Sequence, residues 1–170
     1  MVSYRCLLMF LEWSNNMTDH SIRAIELFKQ GYNCSQAVFA AFCDETGLDF
    51  DTAIKISSSF GGGMGRLREV CGAVSGMFMV AGMKYGYIDP LDKGIKTEHY
   101  RLIQSLADKF KVTNRSIVCR DLLGLGIEID SPNPDDRTQE YYQKRPCVEL
   151  VGQAAQIMDE YIKNKNLEEN

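Results

Sequence analysis

Cysteines are the residues of this 170-residue chain best suited to chemistry. Four of them, Cys34, Cys71, Cys119 and Cys147, are separated by 36, 47 and 27 residues. These spacings match no local metal motif, because zinc-ribbon, ferredoxin and thioredoxin sites contain Cys-x-x-Cys pairs. Any joint site must therefore be assembled by the tertiary fold. Spacing alone favours the plainer interpretation that each cysteine packs in the core, since free cysteine is among the most buried residue types.

The placement of three of these cysteines indicates reactive thiols. Cys34 follows a helix-capping residue, Asn33, and Cys147 follows a proline, while Cys119 opens a short helical segment. A helix N-terminus carries about half a positive charge, which lowers the pKa of a thiol and favours the thiolate. The thiolate is the form that attacks disulfides and binds metals. Cys71 differs, because we expect it about one turn inside its helix.

Small residues follow Cys71, and two of them, Gly72 and Gly76, lie four positions apart on one helix face. Glycine inside a helix costs about 1 kcal/mol relative to alanine, so two glycines on one face need a reason. The face predicts either close packing against another helix or contact with a bound cluster.

A glycine-rich segment, residues 61–65, must have irregular backbone. It lacks the Lys-Ser/Thr pair and the preceding strand of a phosphate loop, so a turn is the simpler interpretation. Its functional alternative is that the bare amides of Gly62 and Gly63, with Arg66 and Arg68 beside them, donate to an anionic cluster or substrate. With Gly72 and Gly76, these two glycines are the residues that we expect to line a cofactor site.

The remaining cysteines and the histidines receive no role in the site. Cys43 lies nine residues after Cys34, on the opposite side of the same expected helix, which predicts a protonated thiol in the core. Cys6 lies in an N-terminal stretch without recognisable purpose. His20, near a helix start, and His99, on an amphipathic helix, have no partner identifiable from spacing, which predicts surface or helix-end roles.

Helical periodicity recurs along the chain and strand patterns are nearly absent, which predicts an all-α fold: a single compact multi-helix domain. Two prolines and several aspartates over 125–137 predict a surface loop. The helices are expected over 19–30, 33–45, 51–60, 67–84, 90–111, 119–123 and 146–163. The domain is expected over 17–165, and residues 1–16 form an extension that is either a non-native start or disordered.

Composition narrows the possible partners. A net charge of -4 with scattered lysines and arginines gives no basic surface for nucleic acid. No apolar run approaches the roughly 18 to 20 residues that a membrane span requires, and we expect a cytoplasmic protein. The expected partner is a redox protein or a small thiol or disulfide of unknown identity, and a homodimer is a reasonable expectation.

A resemblance joins these observations. Residues 31–38, 60–66, 71–76 and 119–124, together with Cys147, resemble the C_GCAxxG_C_C family of redox-active proteins over about residues 21–162. The resemblance implies that Cys34, Cys71, Cys119 and Cys147 are the four signature cysteines of the family. It also implies a relationship to a domain of split-Soret cytochromes, in which an iron–sulfur centre is suspected. No Cys-x-x-Cys-His haem-attachment site is present, so no haem is expected.

Three functional hypotheses follow. In the first, the four thiolates converge and bind an iron–sulfur cluster for electron transfer, because soft sulfur ligands suit iron–sulfur clusters or zinc and redox use favours iron. In the second, one cysteine with a low pKa attacks a disulfide and another cysteine resolves the intermediate. In the third, the chain is a helical binding protein whose cysteines only pack.

Overall fold

The computed structural model describes residues 17–126 and 131–168, and Cys6 and the 1–16 extension lie outside them. The helices are α1 (Asp19–Lys29), α2 (Cys34–Ala41), α3 (Cys43–Thr46), α4 (Phe50–Ser57), a 3-10 turn (Ser58–Phe60), α5 (Gly61–Met64), α6 (Gly72–Tyr85), α7 (Lys93–Asn114), α8 (Cys119–Leu123), α9 (Gln139–Lys144) and α10 (Cys147–Glu168). The all-α prediction is confirmed, since these ranges contain no β-strand, only one isolated antiparallel bridge between Val70 and Val118.

Helix α2 lies at the centre of a compact core. It packs against α1, α6 and α10, and the last five residues of α2 are all almost fully buried. A helix that is apolar on every side is stable only when other helices surround it. The partners supply large apolar side chains that are also fully buried, among them Phe28, Met77 and Met158. No helix in the described part of the chain is both long and apolar enough to cross a membrane.

Gly76 permits the close approach of α6 to α2. A Cβ atom at this position would lie 2.8 Å from the carbonyl oxygen of Ser35 and 2.9 Å from Cβ of Val38. No real side chain tolerates such distances to a neighbouring helix. Close packing of α6 against α2 therefore explains why residue 76 is a glycine.

The helix expected over 33–45 is interrupted at Phe42, whose φ of -101° and ψ of 25° leave the helical region. The break lets Phe42 bury its ring completely and stack on His20, with ring centroids 4.2 Å apart. Cys43 begins α3 and is only partly buried at the edge of the core. The prediction that Cys43 is a core residue on the far side of one continuous helix is therefore wrong.

The helix expected over 67–84 begins later, at Gly72. Arg66 and Arg68 adopt positive φ values of 71° and 61°, which no α-helix accommodates. Val70 instead forms the isolated bridge with Val118. A pairing between distant segments thus replaces the local helix.

Two further boundaries differ from the sequence prediction. Helix α7 begins three residues beyond Pro90, because Asp92 is its N-cap and accepts from the amide of Ile95 at 3.0 Å. Helix α9 was not expected, and it begins where the Thr138 side chain accepts from the amide of Tyr141 at 3.2 Å. Both starts show side-chain capping overriding the apolar pattern.

Candidate redox site

The four cysteines of the motif line one cavity of about 210 Å³. Cys34 is the first residue of α2, Cys119 the first of α8 and Cys147 the first of α10. Cys71 is the N-cap of α6, so the prediction that it lies a turn inside its helix is wrong. The expected convergence of the four is confirmed, because four separate helix starts meet at this cavity. Cys43 does not line it.

Capping of α2 fixes the position of Cys34. The Asn33 side chain accepts from the amides of Ser35 at 3.1 Å and Gln36 at 3.0 Å, and Gln36 Oε1 accepts from the amide of Asn33 at 3.0 Å. This is the capping box that the sequence predicts. Asn33 Nδ2 also donates to the carbonyl of Ser58 at 3.0 Å, which ties this helix start to the segment before the glycines.

Backbone pairing holds Cys71 next to Cys119. The amide of Cys71 donates to the carbonyl of Ile117 at 2.8 Å, and the amide of Cys119 donates to the carbonyl of Glu69 at 2.6 Å. These bonds flank the isolated bridge, so the segments entering α6 and α8 run side by side. Both cysteines are buried.

Glycines form part of the cavity wall because side chains would not fit there. Gly63 has a φ of 70°, and a Cβ atom on it would lie 2.6 Å from Cβ of Cys119. A Cβ atom on Gly72 would lie 3.1 Å from Cβ of Cys34. Gly62, also at positive φ, lines the cavity with them. Gly76 does not line it and packs against α2 instead.

The thiols of Cys34 and Cys147 are hydrogen-bonded to each other, and this bond shifts their pKa values in opposite directions. The hydrogen bond from Cys34 lowers the pKa of Cys147, and the nearby charges of Arg145, Arg137 and Arg68 lower it further against the effect of burial. The same hydrogen bond, with burial, raises the pKa of Cys34 well above its usual value. Of the two thiols, Cys147 is therefore the one that loses its proton more readily.

Burial dominates the other two thiols. It raises the pKa of Cys71 to about 12, although the amides of Ala73 and Val74 donate to this sulfur. It also raises the pKa of Cys119, even though Arg68 Nη1 lies 3.9 Å from its Sγ. The prediction that helix starts alone make Cys34 and Cys119 partly thiolate is wrong for the metal-free protein, because the hydrogen bond with Cys147 and then burial raise the pKa of Cys34, and burial raises that of Cys119.

Four arginines, Arg66, Arg68, Arg137 and Arg145, line the cavity, and Asp135 is the one acidic residue among the described lining. Asp135 Oδ2 accepts from Arg66 Nη1 at 2.7 Å and from Arg145 Nη2 at 3.0 Å. The hydrogen bond from Arg66 lowers the pKa of Asp135 against burial, and the charge of Arg145 adds to this effect. The wall that faces the cysteines is therefore positively charged.

The sequence patterns did not indicate Arg137, Tyr141 or Arg145, because Arg137 ends a stretch with the composition of a surface loop and the other two lie between that stretch and the helix expected from residue 146. The Tyr141 ring lies between the two guanidinium groups, each 4.7 Å from its centroid. The three residues recur every fourth position before Cys147, which is the signal that could have identified them.

The histidines lie outside the cavity lining. His20 Nδ1 is 2.6 Å from Asp159 Oδ1, and its Nε2 is 3.0 Å from Asp44 Oδ2. The hydrogen bond to Asp159, with smaller effects of Asp44, raises the pKa of His20 to about 9. His99 Nδ1 is 3.1 Å from the carbonyl oxygen of Tyr85. His20 thus connects α1, α3 and α10 as an ion-pair residue.

The four cysteines that line this cavity are also the cysteines of a family motif. Residues 32–161, which include all four cavity cysteines, match the model of a family described as "Putative redox-active protein (C_GCAxxG_C_C)". The chain belongs to this family. Searches of the curated proteins and of the solved structures returned no match.

Proposed function

We propose that Cys34, Cys71, Cys119 and Cys147 bind an iron–sulfur cluster that serves electron transfer. The observation that carries this proposal is that one cavity collects these four cysteines from four separate helix starts. Four thiolates are the usual ligand set of such clusters, and a bound cluster would supply one-electron chemistry that the side chains lack. An electron-transfer partner would then be a redox protein.

The donor set and its surroundings fit a cluster. Cysteine sulfur is the only soft ligand atom among the described residues that line the cavity. The sulfur of Cys71 also accepts hydrogen bonds from the amides of Ala73 and Val74. Hydrogen bonds to sulfur and nearby positive charge both stabilise a negative thiolate ligand. No group of three or more His, Cys, Asp or Glu side chains among the described residues is arranged to hold a metal ion, so the proposal rests on the shared cavity and on the soft donor type.

Analysis of protein purified without oxygen tests the proposal. We expect iron and acid-labile sulfide in stoichiometric amounts, visible absorption, and loss of both in Cys71→Ser. Cys43→Ser is the matched control and should keep its iron, because Cys43 does not line the cavity. Colourless wild-type protein without sulfide would contradict the cluster, and zinc without sulfide would replace it with a different metal.

A second candidate function rests on the hydrogen-bonded pair of Cys34 and Cys147. In thiol–disulfide exchange, the Cys147 thiolate attacks one sulfur of a substrate disulfide and releases the other as a thiolate. Cys34, on losing its proton, attacks Cys147 and releases the second substrate thiolate. The dithiol is oxidised by two electrons and the substrate is reduced to two thiols.

The two candidate functions predict different behaviour for the cysteine variants. Exchange requires only Cys34 and Cys147, so Cys71→Ser should retain reduction of a small disulfide, whereas Cys34→Ser should stop at a mixed disulfide with Cys147. Mass spectrometry of the trapped species identifies the bond. Exchange activity without iron would favour this candidate, and iron that depends on all four cysteines would favour the cluster. If the protein shows neither exchange activity nor cysteine-dependent iron, the cysteines have only a packing role.

A further inference from the structure

Arg137 differs from the other arginines whose interactions are described at the cavity. Arg66 and Arg145 share the carboxylate of Asp135. Arg137 forms no ion pair with any carboxylate in the described ranges. Its positive charge nevertheless lies close enough to Cys147 to lower the pKa of that thiol.

Aromatic rings hold the Arg137 guanidinium in place. Its carbon lies 4.5 Å from the ring centroid of Phe28 and 4.7 Å from that of Tyr141. Nη2 donates to the carbonyl oxygen of Tyr32 at 3.3 Å. Stacking between rings restricts rotation of a guanidinium, so its remaining donors keep a fixed direction.

The remaining donor of Arg137 lacks an acceptor within the chain. Nη1 is buried and has no hydrogen-bond partner in the described part of the protein. A buried donor of a charged group without an acceptor is unfavourable, and native proteins rarely retain one without a functional reason. Nη1 is closed off from solvent, but the Arg137 side chain lines the cysteine cavity, so an anion bound there would lie beside a positive charge that no carboxylate in the described ranges neutralises.

We propose that the cysteine cavity is an anion-binding site and that the guanidinium of Arg137, which no carboxylate in the described ranges neutralises, stabilises the bound anion. The recognised chemistry is a compact anion with acceptor atoms over its surface. The sulfur atoms of a cluster provide it, and so does a tetrahedral oxyanion. At about 210 Å³ the cavity exceeds the roughly 150 Å³ that accommodates benzene in an engineered core. The inference rests on the proposed function only in assigning the redox group to this cavity.

Inorganic sulfate is the probe for the reduced, metal-free full-length protein. Sulfate should raise the melting temperature of the wild type above that in chloride of equal ionic strength, and it should slow alkylation of Cys147. Arg137→Gln should weaken sulfate binding tenfold or more. Arg101→Gln removes the same charge from the exposed surface of α7, outside the cavity lining, and should stay within twofold of wild type.

Arg137→Lys keeps the experiment decisive if Arg137→Gln folds poorly. It retains the charge without the planar pair of donors, so it should bind sulfate more weakly than wild type while showing the same circular dichroism. Sulfate binding by either folded variant equal to that of wild type would overturn the proposal, as would wild-type protein that does not distinguish sulfate from chloride.

Iron-loaded protein distinguishes the two sources of the anion. If cluster sulfur is the acceptor, Arg137→Gln should lower the reduction potential, because losing a positive charge destabilises the more negative reduced form. A tenfold change in the reduced-to-oxidised ratio corresponds to about 59 mV for one electron. An unchanged potential with lost sulfate binding assigns the site to a separate oxyanion. Iron content of the same preparations tests the cluster itself, independently of sulfate.

Discussion

Replacing Gly76 by alanine tests whether the approach of α6 to α2 builds the cysteine site. The added Cβ atom would lie 2.8 Å from the Ser35 carbonyl oxygen, a backbone atom that moves only if α2 moves. Overpacking of this kind costs about 1–3 kcal/mol, and the gain in helix propensity returns about 1 kcal/mol. Because backbone is in the way, we expect the upper part of that range and a net loss of about 2 kcal/mol.

Gly82 supplies the matched control on the same helix. A Cβ atom there meets nothing within 4 Å, so Gly82→Ala should stabilise the protein by about 0.5–1 kcal/mol through helix propensity alone. Denaturant unfolding of both variants measures the difference in stability between them, which should be about 2.5–3 kcal/mol at unchanged m-value.

The site should respond with the fold. Cys34 opens α2 immediately before Ser35, so displacing this helix start in Gly76→Ala should also reduce iron content or change the alkylation rate of Cys34. Equal stability of the Gly76→Ala and Gly82→Ala variants would refute the packing argument. A destabilised Gly76→Ala variant with an unaltered cysteine site would refute its link to function.

Three further predictions follow from residues around the core and the cavity. His20→Gln should remove a pH-dependent stabilisation that, in the wild type, is fully present below pH 6.5 and is lost as pH rises through about 9. The rise in the His20 pKa, caused mainly by Asp159, corresponds to about 3 kcal/mol, which solvent screening reduces to about 1–2 kcal/mol. Chemical unfolding across this pH range should therefore show the loss of stability in the wild type and not in the variant. In reduced, metal-free protein at pH 8, alkylation followed by mass spectrometry should modify Cys147 before Cys34, Cys71 and Cys119, and equal rates at the four would contradict the assigned pKa directions. Asn33→Ala should lower the free energy of unfolding by about 1–2 kcal/mol, because it removes the cap of α2, and thermal or chemical unfolding measures this loss. Unchanged stability would show that the cap does not stabilise the protein.

Local sequence patterns predicted the parts of the fold that depend on local forces. The capping box of Asn33 and Gln36 is present as expected, and so is the irregular backbone at Gly62 and Gly63. Such features depend on hydrogen bonds and backbone dihedral angles within a few residues. They can therefore be inferred from spacing alone.

Long-range interactions explain the predictions that were wrong. The segment before Cys71 has a helical pattern, but it contains positive φ values at Arg66 and Arg68 and pairs through Val70 with the distant Val118. Burial of Phe42 interrupts a helix that the local pattern would continue. Neither interaction is visible in a window of neighbouring residues, because each depends on where distant segments meet.

The electrostatics of the site could be inferred only in part. Position at a helix start predicted similar thiolate character for Cys34, Cys119 and Cys147, but the hydrogen bond with Cys147 raises the pKa of Cys34 and burial raises that of Cys119. Burial is a property of the assembled cavity. Arg137 and Arg145 lower the pKa of Cys147 only because the segment before α10 folds back onto the cavity, and the composition of that segment predicts a surface loop.

The four cysteines come from helix starts distributed from the second helix of the described chain to its last, and this determines when a bound group can enter. Each intervening loop must close before its cysteine reaches the others, so the ligand set is complete only after α10 has docked. A chain still emerging from the ribosome lacks Cys147 and cannot hold the group with all four sulfurs. The proposed cluster would consequently be a ligand of the finished native state, and its binding free energy would add to the stability of every helix that contributes a cysteine.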